Sequence, residues 1–156
     1  MVKSLDEKTD TAPIAHVGWS LFRASEHWQN AFRREMVKAG YAWFAEARAN
    51  VIPHLDRAGT RQALLATRME LSKQAVQQFV DGLVADGVVK RTPDPGDARG
   101  RIVRFTREGL AVLAAANRVK RRIEVDFEAR LGKTKFKQLC EVLADLNASF
   151  GEPADE

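Results

Sequence analysis

Leu71-Ser72-Lys73-Gln74-Ala75-Val76-Gln77-Gln78-Phe79-Val80-Asp81-Gly82-Leu83-Val84-Ala85-Asp86-Gly87-Val88-Val89-Lys90-Arg91 is the stretch that decides the fold. Ser72 suits a helix N-cap, because its side-chain oxygen can accept a free backbone N–H of the first turn. Val76, Phe79, Val80 and Leu83 follow at i, i+3, i+4 and i+7, one buried stripe of an α-helix. The other face holds Lys73, Gln74, Gln77, Gln78 and Asp81. Gly87 ends the helix, and Val88-Val89-Lys90-Arg91 reads as a strand.

Upstream, Arg61 to Arg68 reads as a short helix carrying Leu64 and Leu65, with Gly59-Thr60 before it as the end of one helix and the N-cap of the next. Met69-Glu70-Leu71 is the turn between the two helices. Downstream, Ile102-Val103-Arg104-Phe105 reads as a partner strand. Residues 92–101 between the strands hold two prolines, two glycines and two aspartates, the composition of a hairpin loop. Two short helices joined by a tight turn and followed by a hairpin make a winged helix-turn-helix.

Long helices flank this unit. Leu21, Trp28, Phe32 and Met36 predict an amphipathic helix over Val17 to Lys38, ended by Gly40. Tyr41 to Arg57 reads as a second helical stretch, kinked or broken at Pro53. Thr106 can cap a helix from Arg107 to about Leu131, Gly132 breaks it, and Lys133 to about Phe150 forms the last helix. That helix carries Phe136, Leu139, Leu143, Leu146 and Phe150 on one stripe. The expected fold class is mainly α (α+β), a winged helix-turn-helix with long N- and C-terminal dimerisation helices. Residues 1–16 read as a loose arm, 17–40 and 107–150 as the dimerisation region, 41–106 as the winged lobe and 151–156 as an acidic tail. The terminal stripes need a surface to cover them, and a two-fold partner offers a self-complementary one.

The residue chemistry points to DNA. The first turns of a helix in the major groove reach base edges. Glutamine pairs with adenine through two hydrogen bonds, and lysine reaches guanine or phosphate. Ser72 at the helix start can donate to a phosphate. Arg99 and Arg101 sit at the tip of the hairpin, where arginine suits a narrow minor groove. Asp97 is placed to brace Arg99 by an ion pair, and Arg104, Arg107, Lys90 and Arg91 to meet phosphates. A winged helix can also be a protein–protein adaptor without direct DNA contact, so that alternative stands beside the first.

Several segments resemble the MarR family of bacterial transcription regulators: Leu65-Ala66, Leu71 to Val76, Val80 to Arg91, Pro93 to Arg99 and Val103 to Gly109. The Asp97-x-Arg99 pair is similar to that family's wing signature, and the resemblance covers roughly residues 60–110. It implies a homodimeric repressor or activator whose first and last two helices form the dimer interface. It assigns Ser72, Lys73, Gln74, Gln77 and Gln78 to the major groove, and Arg99, braced by Asp97, to the minor groove. Glu70 departs from the family, which often has glycine there, so this residue must tolerate the geometry of the turn.

Composition sets the remaining bounds. The chain has 156 residues, 45% apolar and 29% charged, with net charge +4, which is ordinary for one globular domain. The charge is uneven: residues 61–107 carry 9 basic and 5 acidic groups, 118–137 carry 8 and 3, and 138–156 carry none and 5. The second block includes Arg118-Val119-Lys120-Arg121-Arg122, which reads as a solvated face, a partner for the acidic tail or an extension of a DNA contact. No apolar run approaches the ~20 residues of a membrane span, and the start of the chain has no apolar signal core.

Cys140 is the single cysteine, which fits a reducing cytoplasm, and its place beside Leu139 and Leu143 reads as a buried structural thiol. His16, His27, His54 and Cys140 show no metal-ligand spacing, and no nucleophile–base motif or phosphate-cradling loop occurs. The expectation is therefore no enzyme, no metal and no cofactor. Trp19, Phe22, Trp28, Tyr41, Trp43 and Phe44 cluster in the first two helices. They read as core packing or as the wall of a pocket for a small aromatic or phenolic effector. The pocket reading names Trp19, Phe22, Arg23, His27 and Trp43, with His54 as a further polar contact. The expected function is a ligand-responsive repressor that binds a palindromic operator as a homodimer.

Overall fold

A computed structural model describes residues 16–150. Its elements are α1 (Val17–Lys38), two 3-10 helices (Ala42–Ala45 and Ala47–His54), β1 (Thr60–Arg61), α2 (Gln62–Arg68), α3 (Lys73–Ala85), β2 (Val89–Asp94), β3 (Asp97–Phe105), α4 (Arg107–Leu131) and α5 (Lys133–Ser149). The acidic tail predicted at 151–156 lies outside the described residues, as does the predicted arm except His16, whose Nδ1 accepts Trp19 N–H and caps α1.

The mainly α (α+β) class holds, and α1, α3, α4 and α5 fall where periodicity puts them. Ser72 Oγ accepts Ala75 N–H at 3.1 Å and Thr106 Oγ1 accepts Gly109 N–H at 3.0 Å, so both N-caps form. Four other readings are corrected. Tyr41–Arg57 forms two 3-10 helices, not an α-helix. Pro53 lacks the N–H that a longer helix needs, and the tighter winding buries Trp43, Phe44 and Val51 together. Thr60 caps no helix: it is the first residue of β1, opposite Val103, and its buried Oγ1 donates to Asp56 Oδ2 at 3.0 Å. The sheet therefore has three strands in the order β1-β3-β2. The wing strands also run further than expected, leaving only Pro95-Gly96 between Asp94 and Asp97. Pro93 is tolerated because β2 is an edge strand.

Val76, Val80 and Leu83 of α3 pack with Leu65 of α2, Val89 and Val103 of the sheet, and Val112 and Val119 of α4 in one core. α1 joins it through the buried Met36 and the partly buried Trp28, Ala31 and Phe32. Glu70 has φ 53°, the left-handed region that favours glycine, so the turn keeps its tight geometry with a strained residue. α5 differs from the rest because it has no buried residue. Cys140 is exposed, contrary to expectation, because α5 packs mainly on α4 and the described residues leave its outer face open.

Candidate nucleic-acid interface and adjoining cavity

Helix α3 presents its polar side to solvent. Ser72, Lys73, Gln74, Gln77 and Gln78 are all exposed, while Val76, Val80 and Leu83 hold the other side in the core. Asp81 is the one carboxylate among the polar residues of this face, and Arg91 neutralises it at 2.6 Å. Arg91 also donates through Nε to Gln62 Oε1 at 2.8 Å, tying β2 to both helices of the helix-turn-helix. This arginine, expected to meet a phosphate, lines the groove described below while making these bonds. Arg104 is engaged too: its guanidinium donates to Ala58 O and to Thr92 Oγ1 and clamps the loop before β1 onto the sheet.

A groove of about 530 Å³ runs between α3 and the wing, lined by Arg61, Lys73, Gln77, Arg91, Arg99 and Arg101 among others. Arg99 and Arg101 are exposed at the wing. Asp97 braces Arg99 differently from expectation: its Oδ1 accepts the Arg99 backbone N–H at 2.9 Å, and no ion pair joins the two side chains. A carboxylate two residues before a backbone N–H closes this local ring more readily than it meets a long guanidinium. The bond fixes the backbone of Arg99 and leaves its charge free.

The buried carboxylate of the wing is Asp94, which sequence reading passed over. Its Oδ1 accepts Gly96 N–H at 2.9 Å and its Oδ2 meets Arg61 Nε at 2.6 Å. The Gly96 N–H first, and then Arg61, hold its carboxyl below the usual range against the opposing effect of burial. Only the pairing of β1 with β3 brings Arg61 across from Asp94, and no local motif announces that. A depressed folded pKa means stability that is present above the unfolded value of 3.8 and lost as pH falls through the folded one. Asp56, held low by Arg68, adds in the same direction. Between about pH 5 and 3, thermal unfolding of the parent is expected to lose more stability than that of Asp94→Asn. Parallel curves for the two proteins would remove Asp94 from the acid response.

A second concavity of about 510 Å³ lies between α1, the second 3-10 helix and α4. Trp28, Phe32 and Phe44 give it aromatic walls, Ile52, Pro53 and Leu113 add apolar surface, and Arg33, His54 and Lys120 bring basic groups. None of Trp19, Phe22, Arg23, His27 and Trp43 lines it. Trp19 and Phe22 stack on each other at 5.4 Å on an exposed part of α1, two turns before the cavity. Arg23 is also exposed, and His27 lines a separate groove with Phe127 and Leu139. Trp43 is buried behind the wall, stacked on Phe44 at 4.3 Å. The aromatic clustering was legible in the sequence, but helix phase selects Trp28 and Phe32.

Among the described residues no group of three or more His, Cys, Asp or Glu side chains is placed to hold a metal, and no helix is long and apolar enough to cross a membrane.

Comparison with known proteins agrees with this geometry. A model of the MarR family matches residues 47–100, which span the second 3-10 helix, the helix-turn-helix and most of the wing. A sequence comparison with curated proteins gives no match. Among solved structures, a transcriptional regulator from Thermotoga maritima superposes with TM-score 0.67 at 22% identity, over 88% of this chain and 98% of that one. Ligand-free MarR from E. coli superposes with TM-score 0.72 at 18% identity, over 86% and 98%. NadR, solved in complex with 4-hydroxyphenylacetate, superposes with TM-score 0.62 at 20% identity, over 86% and 94%. The chain has the winged-helix fold of MarR-family transcription regulators.

Proposed function

We propose that this chain is a cytoplasmic MarR-family regulator that binds double-stranded DNA as a homodimer and is released from it by a small aromatic or phenolic effector. The observation that carries the reading is one groove, lined by five basic and two acidic side chains, flanked by the exposed face of α3 and by two exposed wing arginines. In this reading Ser72, Lys73, Gln74, Gln77 and Gln78 meet the major groove, and Arg99 and Arg101 the minor groove and its phosphates. Asp97 orders the backbone beneath Arg99, while Arg104 and Arg91 hold the wing in place. A protein–protein adaptor would have no use for exposed cations on the wing strand that faces this groove.

The dimer reading is supported by apolar surface that the described residues of one protomer leave bare. Val17, Trp19, Leu21 and Phe22 of α1 and Leu139, Val142 and Leu146 of α5 are exposed, as is Phe150 just beyond α5. Regions 17–40 and 107–150 then form the dimerisation part and 41–106 the DNA-binding lobe. Two-fold symmetry would set the two α3 helices about one DNA turn apart, ~34 Å, on a palindromic operator. The cavity beside Trp28 and Phe32 has walls suited to an aromatic ring and basic groups suited to an anionic substituent. The role is binding alone, with no reaction and no cofactor.

The reading is tested by enriching duplexes from a random pool and titrating the best one by fluorescence anisotropy. Affinity is expected to fall at least tenfold between about 50 and 200 mM salt, because displaced counterions return to the phosphates. No enriched duplex and no salt-sensitive binding at low salt would contradict it.

A further inference from the structure

We propose that Arg48 is the positioning residue that couples the aromatic cavity to helix α3. The inference rests on the regulator reading above and names the joint through which the cavity acts. Arg48 lies in the second 3-10 helix, next to Ala49 and Asn50, which line the cavity. Its side chain leaves the cavity wall in the other direction and crosses to α3. Nε comes within 3.0 Å of Asp86 Oδ2, and Asp86 is the C-cap residue of α3. Nη1 and Nη2 meet the carboxylate of Glu46 at 3.1 and 3.2 Å, at the start of the same 3-10 helix. One guanidinium thus holds both ends of the joint.

The contact is close enough to need a glycine. A Cβ on Gly82 of α3 would stand 2.9 Å from Arg48 Cδ and 3.1 Å from Nη1. Arg48 therefore lies along the α3 backbone, and any side chain at position 82 would push it off. Helix α3 is a single unit of 13 residues. A rotation imposed at its C-terminal half moves Lys73, Gln74, Gln77 and Gln78 with it.

The joint also holds an unsatisfied donor. Arg48 Nε is buried and makes no hydrogen bond, although Asp86 Oδ2 is within reach. The pair is close but misaligned. A donor buried in this way gains when a small shift aligns it. Movement of the 3-10 helix against α3 would supply that shift, and occupancy of the cavity acts on that helix. The coupling is a bias between two arrangements of one ion pair.

Hydrogen exchange tests this without DNA and without an effector. Leu113 lies on α4 and lines the cavity, so Leu113→Trp intrudes into it as a built-in occupant. Amide exchange over residues 73–86 is compared for four proteins: the parent, Leu113→Trp, Arg48→Met and the double variant. Methionine keeps the aliphatic reach of Arg48 and removes its charge. The expected result is a fivefold or larger change in exchange rate over 73–86 on adding Leu113→Trp to the parent, and less than twofold on adding it to Arg48→Met. Equal changes in both backgrounds would overturn the proposal, as would a change confined to residues 47–54 in the Arg48 protein. Leu113→Phe serves as occupant if thermal unfolding shows that the tryptophan variant does not fold. A failure of DNA binding would count against the regulator reading alone, since the exchange measurement does not use DNA.

Discussion

Gly109→Ala is expected to destabilise the protein by about 2–3 kcal/mol, a loss of about 5–10 °C in Tm. Gly109 is buried in the first turn of α4, where the helix passes directly over the start of the wing. A Cβ there would stand 2.0 Å from the backbone carbonyl of Val88 and 3.1 Å from the Phe105 ring. Backbone cannot step aside as a side chain can, so α4 must lift from the sheet. The same carbonyl accepts Thr106 N–H at 3.0 Å, so lifting α4 also strains its cap. The helix-propensity gain of alanine over glycine, about 1 kcal/mol, offsets only part of this. Thermal unfolding of the variant beside the parent measures the effect. A change below about 0.5 kcal/mol would mean that α4 is not seated on the wing as described.

In the proposed homodimer, the double substitution Leu139→Glu/Leu146→Glu is expected to leave a monomer at micromolar concentration. Both leucines are about 39% exposed in the protomer. Burying a leucine from full exposure contributes about 1.5–3 kcal/mol, and an interface can cover only the exposed 39% of each, so losing the two is worth about 1–2 kcal/mol per protomer. The introduced carboxylates would in addition be desolvated without partners. Because each residue occurs on both protomers, the effect is doubled across the two-fold axis. Sedimentation velocity reads the mass directly, and circular dichroism checks that the helices persist. A variant that remains dimeric would remove α5 from the interface.

How legible this molecule is in its sequence depends on what orders each part. Helix α3 is set by its own residues: a serine cap, an i, i+3, i+4, i+7 stripe and a terminal glycine. The same holds for α4, between Thr106 and Gly132. The segment after Gly40 is set by tertiary demands. Its alanines and apolar residues fit an α-helix as well as the 3-10 winding found, and the burial of Trp43, Phe44 and Val51 decides between them. β1 is two residues long and exists only through its pairing with β3, so no local pattern could announce it.

The candidate site divides in the same way. The exposed side of α3 was legible because an amphipathic helix declares both faces. The charge of Arg91 and Arg104 is visible in the sequence, whereas their intramolecular partners, Asp81, Gln62 and Ala58, are not. Arg48 carried no signal at all, since its meaning lies in a glycine 34 positions later that leaves room for it. The apolar neighbours of Cys140 suggest burial, yet the described residues leave the outer face of α5 open.

If α3 and the wing grip DNA together, as proposed, Arg99→Ala must weaken the complex. The substitution removes a free, exposed cation whose backbone is held by Asp97 and leaves the core untouched. Affinity for the duplex that the parent enriches is measured by anisotropy at one fixed salt concentration, with thermal unfolding as the control for fold. The expected result is binding weaker by about 10- to 100-fold, equivalent to about 1–3 kcal/mol, at unchanged stability. An affinity equal to that of the parent would take the wing out of the interface and contradict the account.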